Sequence, residues 1–211
     1  MWPESQETQE LIVQARSDQA GAVDQLLERH RASVKRLIQL RLDHGIRRRV
    51  DVSDVLQEVM LEASRRLSDY LASPPMSFHL WLRQIAMDRI IDAHRRHRGS
   101  AKRSVDREQA ATPAEPSALD WVQQLADPRY TPATAAARRE MAKCVEEMIS
   151  QLPDQDAEIL VMRHFEQLTN QEVAQSLGLS EPAASMRYLR AIRRLREALE
   201  SAFPGSTNEG A

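Results

Sequence analysis

Residues 169–196, TNQEVAQSLGLSEPAASMRYLRAIRRLR, predict two short helices joined by a tight turn. Thr169 and Glu172 have the spacing of a capping box, in which a hydroxyl and a carboxylate each bond an otherwise unpaired backbone N–H. Gly178 supplies the left-handed residue that ends the first helix, and Ser180 is placed to cap the second. A helix, a glycine-containing turn and a second helix form the helix-turn-helix layout, whose second helix enters the major groove of DNA.

The second of these helices separates apolar from basic side chains. Its apolar positions recur at helical spacing and are Ala184, Tyr188, Ile192, Leu195 and Leu199. Arg187, Arg190 and Arg194 lie together away from that face, and the stretch 187–196 holds five arginines and no acid. A solvated charged face is the simpler interpretation. Surface helices usually mix both signs of charge, so the sequence favours a groove-facing helix, with Ser180 and Ser185 near its start.

Length and composition indicate an all-α protein with room for one large or two small domains. The 211 residues include few aromatics (4%) and only six glycines. The single cysteine, Cys144, excludes an intramolecular disulfide framework and a cysteine-based zinc site. No apolar run approaches the roughly 20 residues that span a bilayer, and the polar N-terminus is unlike a signal peptide. We therefore expect a cytoplasmic protein with no membrane insertion.

The net charge of −2 is unevenly distributed along the chain. Residues 78–105 carry seven bases against two acids, whereas residues 140–181 carry nine acids against two bases. Local positive charge is sufficient for phosphate neutralisation, so the overall charge does not exclude nucleic-acid binding. The segregation also suggests the hypothesis that acidic regions cover the basic patches in the free protein.

A helix predicted from the caps Asp51 and Ser53 to about Leu67 has a core stripe and a polar outer face. The outer face consists of Asp54, Gln57, Glu58 and Leu61. A leucine set among three hydrogen-bonding residues is compatible with a protein-docking surface. Isolated exposed leucines are also common on ordinary solvated helices, so the pattern alone does not decide between the two.

A long helix is predicted from Phe78 to about Arg98, after a proline-bearing loop. Phe78 and Trp81, with arginines beyond them, match the combination of aromatic rings and cations found in single-stranded nucleic-acid sites. Both rings could instead belong to the core, and periodicity does not separate these alternatives. The basic end of this helix is Arg95, Arg96, His97 and Arg98.

The rest of the chain indicates two domains, at 10–105 and 138–203, joined by a linker at 106–137 that is rich in Ala, Pro, Thr and Ser. No catalytic constellation or phosphate-binding loop is recognisable, so we expect a non-enzymatic protein without cofactor. Asp92, His94 and His97 could form a metal site, although a phosphate-facing or solvated role is the better interpretation on a basic helix.

Together these segments resemble the extracytoplasmic-function (ECF) sigma factors, the two-domain promoter-recognition subunits of bacterial RNA polymerase. Asp54–Val59 resembles the family's polymerase-docking segment. The pattern from Phe78 to Arg96 is similar to the helix that recognises and melts the −10 element, and Leu152–Leu195 is similar to the −35 domain. The likeness covers about residues 10–103 and 138–200. Arg49–Asp54 and Met76–Phe78 look most like sigma factors from planctomycete-type bacteria.

The resemblance implies core RNA polymerase and promoter DNA as partners, with an anti-sigma factor as a further candidate and no small-molecule substrate. It implies polymerase binding by Asp54, Gln57, Glu58 and Leu61. It implies −10 contacts by Phe78, Trp81, Arg89, Asp92, Arg95, Arg96 and Arg98, and −35 contacts by Ser180, Ser185, Arg187, Arg190 and Arg194.

Two departures from the family pattern concern the bases that are read. Asp88 stands where the family often has Asn, and residues 182–185 (PAAS) replace the more usual Gly-Thr-Val-Lys. The alternative function is a stand-alone helix-turn-helix regulator whose N-terminal half senses a signal or dimerises. That alternative predicts palindromic operators and DNA binding without polymerase.

Overall fold

The computed structural model describes residues 2–3, 5–42, 50–101, 145, 147–149 and 151–202. All regular elements in these ranges are helices, which confirms the predicted all-α class. The chain divides into two compact units, Met1–Ala111 and Thr112–Ala211. The predicted linker and Cys144 lie outside the described residues, so the domain boundaries and the cysteine's environment stay predictions. No described helix is long and apolar enough to cross a membrane.

Within its described residues, the first unit contains four helices: α1 (Ser5–Arg16), α2 (Ala22–Arg41), α3 (Val52–Ala72) and α4 (Phe78–Ala101). Helix α2 contacts all three of the others. Helix α3 begins at the predicted cap, where an Asp51 carboxylate oxygen accepts a hydrogen bond from the backbone N–H of Ser53 at 2.7 Å. It continues beyond the predicted end at Leu67, because Leu67 and Tyr70 are both buried against the other helices.

An aromatic cluster forms the core at the start of α4. The ring of Phe78 lies edge-on to those of His30 and Tyr70, at centroid distances of 5.0 and 5.4 Å. Trp81 lies 4.7 Å from the Tyr70 ring, whose hydroxyl donates to the Met76 carbonyl at 3.0 Å. This hydrogen bond joins the proline-bearing loop to α3, so the loop and the start of α4 are held by one cluster.

The second unit contains α5 (Asp154–Leu160), a π-helical turn (Val161–Phe165), α6 (Asn170–Leu177) and α7 (Glu181–Ala202). Helix α7 packs against both α5 and α6. The guanidinium of Arg163 donates to the Leu168 carbonyl at 2.6 Å, in the connection between the π-helical turn and α6.

The predicted caps of the helix-turn-helix are confirmed. The Thr169 hydroxyl accepts from the Glu172 N–H at 3.3 Å, while the Glu172 carboxylate accepts from the Thr169 N–H at 2.7 Å. Gly178 ends α6 in the left-handed conformation, with φ of 63°. The backbone N–H of Ala183 approaches the Ser180 hydroxyl at 3.4 Å at the start of α7.

We expect Gly178→Ala to destabilise the second unit by about 1–2 kcal/mol, because a Cβ disfavours the left-handed conformation. Apart from the adjacent residues, no atom lies within 4 Å of the position that this Cβ would occupy, so the cost comes from the backbone conformation. Gly178→Asn is the matched variant, and its loss should be smaller because asparagine tolerates this conformation. Urea unfolding measures both changes, and equal losses would contradict the backbone explanation.

The buried imidazole of His30 makes folding depend on pH. Burial, with smaller effects from His79 and Arg29, lowers the pKa of His30 to about 4. The unfolded imidazole titrates near its ordinary value of 6.5, so the unfolded state binds more protons between these values. Stability contributed by neutral His30 is therefore present above about pH 6.5 and is lost as the pH falls towards 4.

The free energy of unfolding of the full chain should fall between pH 7 and pH 4.5. We expect this fall to be smaller in His30→Gln than in the wild type, by at most about 3 kcal/mol. Carboxylates also contribute to acid unfolding, and comparing the two proteins in urea at both pH values separates the imidazole from them. An identical loss in wild type and variant would show that His30 does not carry this dependence.

Candidate nucleic-acid and protein interfaces

The face of α3 that the sequence assigns to protein docking points outward. Asp54 and Gln57 are exposed, and Glu58 is half-buried. Leu61 has 54% of its surface exposed, which is high for a large apolar side chain. The helix buries its opposite side, where Val55, Leu56 and Val59 reach the core. The four predicted residues are therefore brought together on one accessible helix face.

Glu58 and Arg96 connect this face to the basic helix α4. The two guanidinium nitrogens of Arg96 donate to the two carboxylate oxygens of Glu58, at 3.2 and 3.0 Å. The hydrogen bond and charge of Glu58 raise the pKa of Arg96. The family resemblance placed these residues in two separate interfaces. The structure shows that one ion pair joins the two faces.

Phe78 and Trp81 belong to the core, which is the alternative that periodicity left open. Their exposed fractions are 2% and 8%, and both rings pack against Tyr70. The expected stacking of these rings on unpaired bases stays a prediction, and the burial of both rings in this structure does not support it. Their position instead fixes the start of α4 and hence the direction of its basic side.

The accessible side of α4 carries the remaining predicted −10 residues. Arg89 forms an ion pair with Asp92 at 3.5 Å, and Arg95 is exposed. Arg89, Asp92, Arg95 and Arg96 line a shallow cleft together with Glu58 and Leu61 of α3. The side chain of Arg98 lies outside the described part of the structure. Within the described residues, no group of three or more His, Cys, Asp or Glu side chains is arranged to hold a metal ion.

Helix α7 is anchored by small apolar residues and by one polar cluster. Ala184, Ala191 and Leu195 are fully buried. The predicted apolar residue Tyr188 is half-buried, and its hydroxyl lies 2.9 Å from the His164 ring nitrogen. Burial, with a smaller effect from Arg163, lowers the pKa of His164 to about 4. The neutral imidazole therefore pairs with Tyr188 at neutral pH and holds α7 to the π-helical turn.

The predicted basic face of α7 is partly neutralised by α5. Arg194 forms an ion pair with Asp156, whose side chain is only 8% exposed. Arg187, Arg190 and Arg194 line one groove with Asp154 and Asp156. Ser185 is half-buried and Ser180 is exposed at the helix start. Of the three predicted arginines, Arg194 is thus engaged within the protein, and Arg190 is the most clearly outward.

Met186 and Leu189 are two outward residues that sequence reasoning missed. Each has 58% of its surface exposed on α7. The signal was present in the sequence, because both positions lie opposite the apolar face of the helix, but only arginines and serines of this helix were assigned to an interface.

Comparison with known proteins identifies both units. Residues 26–100 match the family model described as Sigma-70 region 2, and residues 142–195 match Sigma-70, region 4. The first match includes α3 and α4, and the second includes the helix-turn-helix. These segments also contain every residue that the sequence assigned to an interface.

Relatives of this chain include proteins named as sigma factors. The probable RNA polymerase sigma factor RfaY of Xanthomonas campestris is 34% identical over 71% of this chain, but this chain spans only 34% of the RfaY length. The ECF RNA polymerase sigma factor SigD of Mycobacterium tuberculosis is 28% identical over 91% of this chain and 84% of its own. Neither organism tests the expected planctomycete-like lineage.

The fold is also similar to that of a solved structure, CnrH in complex with the cytosolic domain of CnrY. The TM-score is 0.56 and the identity 23%, and the match covers 92% of this chain and 97% of CnrH. This likeness supports the architecture of α-helical units. With region 2 and region 4 both present in the expected order, the chain belongs to the sigma-70 family, as a member of its ECF sigma factors.

Proposed function

We propose that this chain acts in the cytoplasm as a non-enzymatic sigma factor that binds core RNA polymerase and directs promoter-specific initiation. The observation that carries the proposal is the outward face of α3, which leaves Leu61 exposed beside hydrogen-bonding side chains. The same chain also carries a capped helix-turn-helix. A docking surface and a DNA-reading unit in one chain are what recruitment of an enzyme to DNA requires.

In the first unit, polymerase docks on Asp54, Gln57, Glu58 and Leu61. Promoter DNA lies along α4, where Arg89, Arg95 and Arg96 supply positive charge for the phosphates of the opened −10 strand. Phe78 and Trp81 act indirectly, as the buried anchor of this helix. Because Glu58 binds Arg96, the polymerase-docking face and the DNA-binding face share one ion pair.

In the second unit, α7 enters the major groove of the −35 duplex, with Ser180 and Ser185 near the DNA and Arg187 and Arg190 directed to base edges or phosphates. Arg194 is assigned to holding α7 on α5, because its charge is already paired with Asp156. An anti-sigma partner stays a prediction.

The stand-alone regulator remains the competing function, and transcription assays discriminate between the two. With core polymerase and cognate genomic DNA, we expect the wild-type chain to produce promoter-specific run-off transcripts. Leu61→Asp should lower their yield about tenfold or more, since a carboxylate at an apolar contact is costly to bury. Val13→Asp is the matched control, because Val13 is a similarly exposed apolar residue of the same unit, at 59%.

Substituting Leu61 is a cleaner test than Glu58→Arg, which would also place two like charges at the pair with Arg96. Equal activity of Leu61→Asp and Val13→Asp would contradict the docking assignment. Tight binding of the free protein to palindromic DNA, without polymerase-dependent transcripts, would favour the regulator instead.

Substitutions of Arg194 and Arg190 should have different effects, the first on stability and the second on DNA binding. We expect Arg194→Ala to lower the free energy of unfolding by about 1–3 kcal/mol, because it leaves the largely buried Asp156 carboxylate without its partner. Arg190→Ala should change stability by less than about 0.5 kcal/mol but weaken binding of the holoenzyme to promoter duplex. Chemical unfolding and filter binding check the two effects, and the opposite ranking would overturn the assignment.

A further inference from the structure

Two large apolar side chains face outward on the DNA-reading helix. Met186 and Leu189 are each 58% exposed, whereas Ala184, Ala191 and Leu195 are fully buried. A helix advances 100° per residue, so Met186 lies about 160° and Leu189 about 140° from the centre of this buried row. They are therefore on the side of α7 that points away from its own unit.

Two exposed arginines lie beside this apolar pair. Arg190 follows Leu189 directly and is exposed, and Arg193 lies one turn further along the same outward side, where it approaches Glu197 at 3.8 Å. Side chains that reach base edges sit near the start of a recognition helix, while flanking cations contact phosphates. Met186 lies in the second turn of α7, so its position fits a base-edge contact better than a phosphate contact.

The only apolar group that a base pair presents in the major groove is the C5-methyl of thymine. We infer that Met186 and Leu189 contact thymine methyl groups in the −35 duplex and thereby select thymine at the facing positions. The inference rests on the proposed function and names the chemistry by which its second unit reads bases. The cationic rim formed by Arg190 and Arg193 favours duplex DNA over an apolar protein surface as the occupant.

Uracil differs from thymine only in lacking this methyl group, which makes it the direct probe. Holoenzyme assembled from the full chain and core polymerase first selects −35 sequences from duplexes with a randomised segment. The selected duplex is then remade with deoxyuridine in place of each thymine in turn. We expect a loss of affinity of about threefold to tenfold at one or two positions, the size expected for one buried methyl group.

The variants assign the effect to residues. In Met186→Ala and Leu189→Ala the thymine and uracil duplexes should bind equally, and selection should lose its thymine preference at the same positions. Arg193→Ala is the control for general binding, and it should weaken both duplexes by the same factor. Because the three side chains are exposed, thermal unfolding should be unchanged in all of them.

The outcomes separate this inference from the proposed function. If wild-type holoenzyme initiates at the selected promoters but binds thymine and uracil duplexes equally, the methyl contact is overturned while the sigma-factor function stands. Unchanged binding and selection in Met186→Ala and Leu189→Ala would equally overturn it, and would leave the face to a protein partner. Absence of any promoter-specific initiation would instead remove the proposed function itself.

Discussion

The burial of Phe78 and Trp81 against Tyr70 is the constraint on which the first unit depends. These rings close the proline-bearing loop onto α3 and set the rotation of α4 about its axis. With that rotation fixed, Arg89, Asp92, Arg95 and Arg96 are left on the accessible side beside Leu61. Under the proposed function, the aromatic residues serve DNA binding by placing the cations rather than by touching bases.

Charged residues in this protein are segregated along the chain, and some of them also form ion pairs between helices. Glu58 holds Arg96, and Asp156 holds Arg194, so each unit has an acid of one helix bound to an arginine of its basic helix. The two pairs differ in consequence. The first is exposed, so under the proposed function it can exchange for polymerase or phosphate, whereas the Asp156 carboxylate is largely buried and favours a structural role. These two ion pairs are specific contacts of the kind expected if acidic residues cover the basic patches in the free protein.

Burial of one face of α7 likewise determines which of its side chains are exposed. Ala184 and Ala191 of α7 are fully buried, and the Tyr188–His164 pair holds this helix to the π-helical turn. What remains outside is a mixed surface of Met186, Leu189 and arginines. A helix that reads DNA with both methyl contacts and cations can combine sequence preference with salt-dependent affinity.

The sequence by itself determined the elements whose signals are local. The capping box at Thr169, the left-handed Gly178 and the outward face of α3 depend on spacing within a few residues, and all three are present in the structure. Only the tertiary structure decided that Phe78 and Trp81 are buried and that Arg194 is paired, because burial and ion pairing depend on helices distant in the chain. The exposure of Met186 and Leu189 follows from helical spacing in the sequence, and the structure gives its extent. Apolar character favours burial, but each helix has only one face to bury.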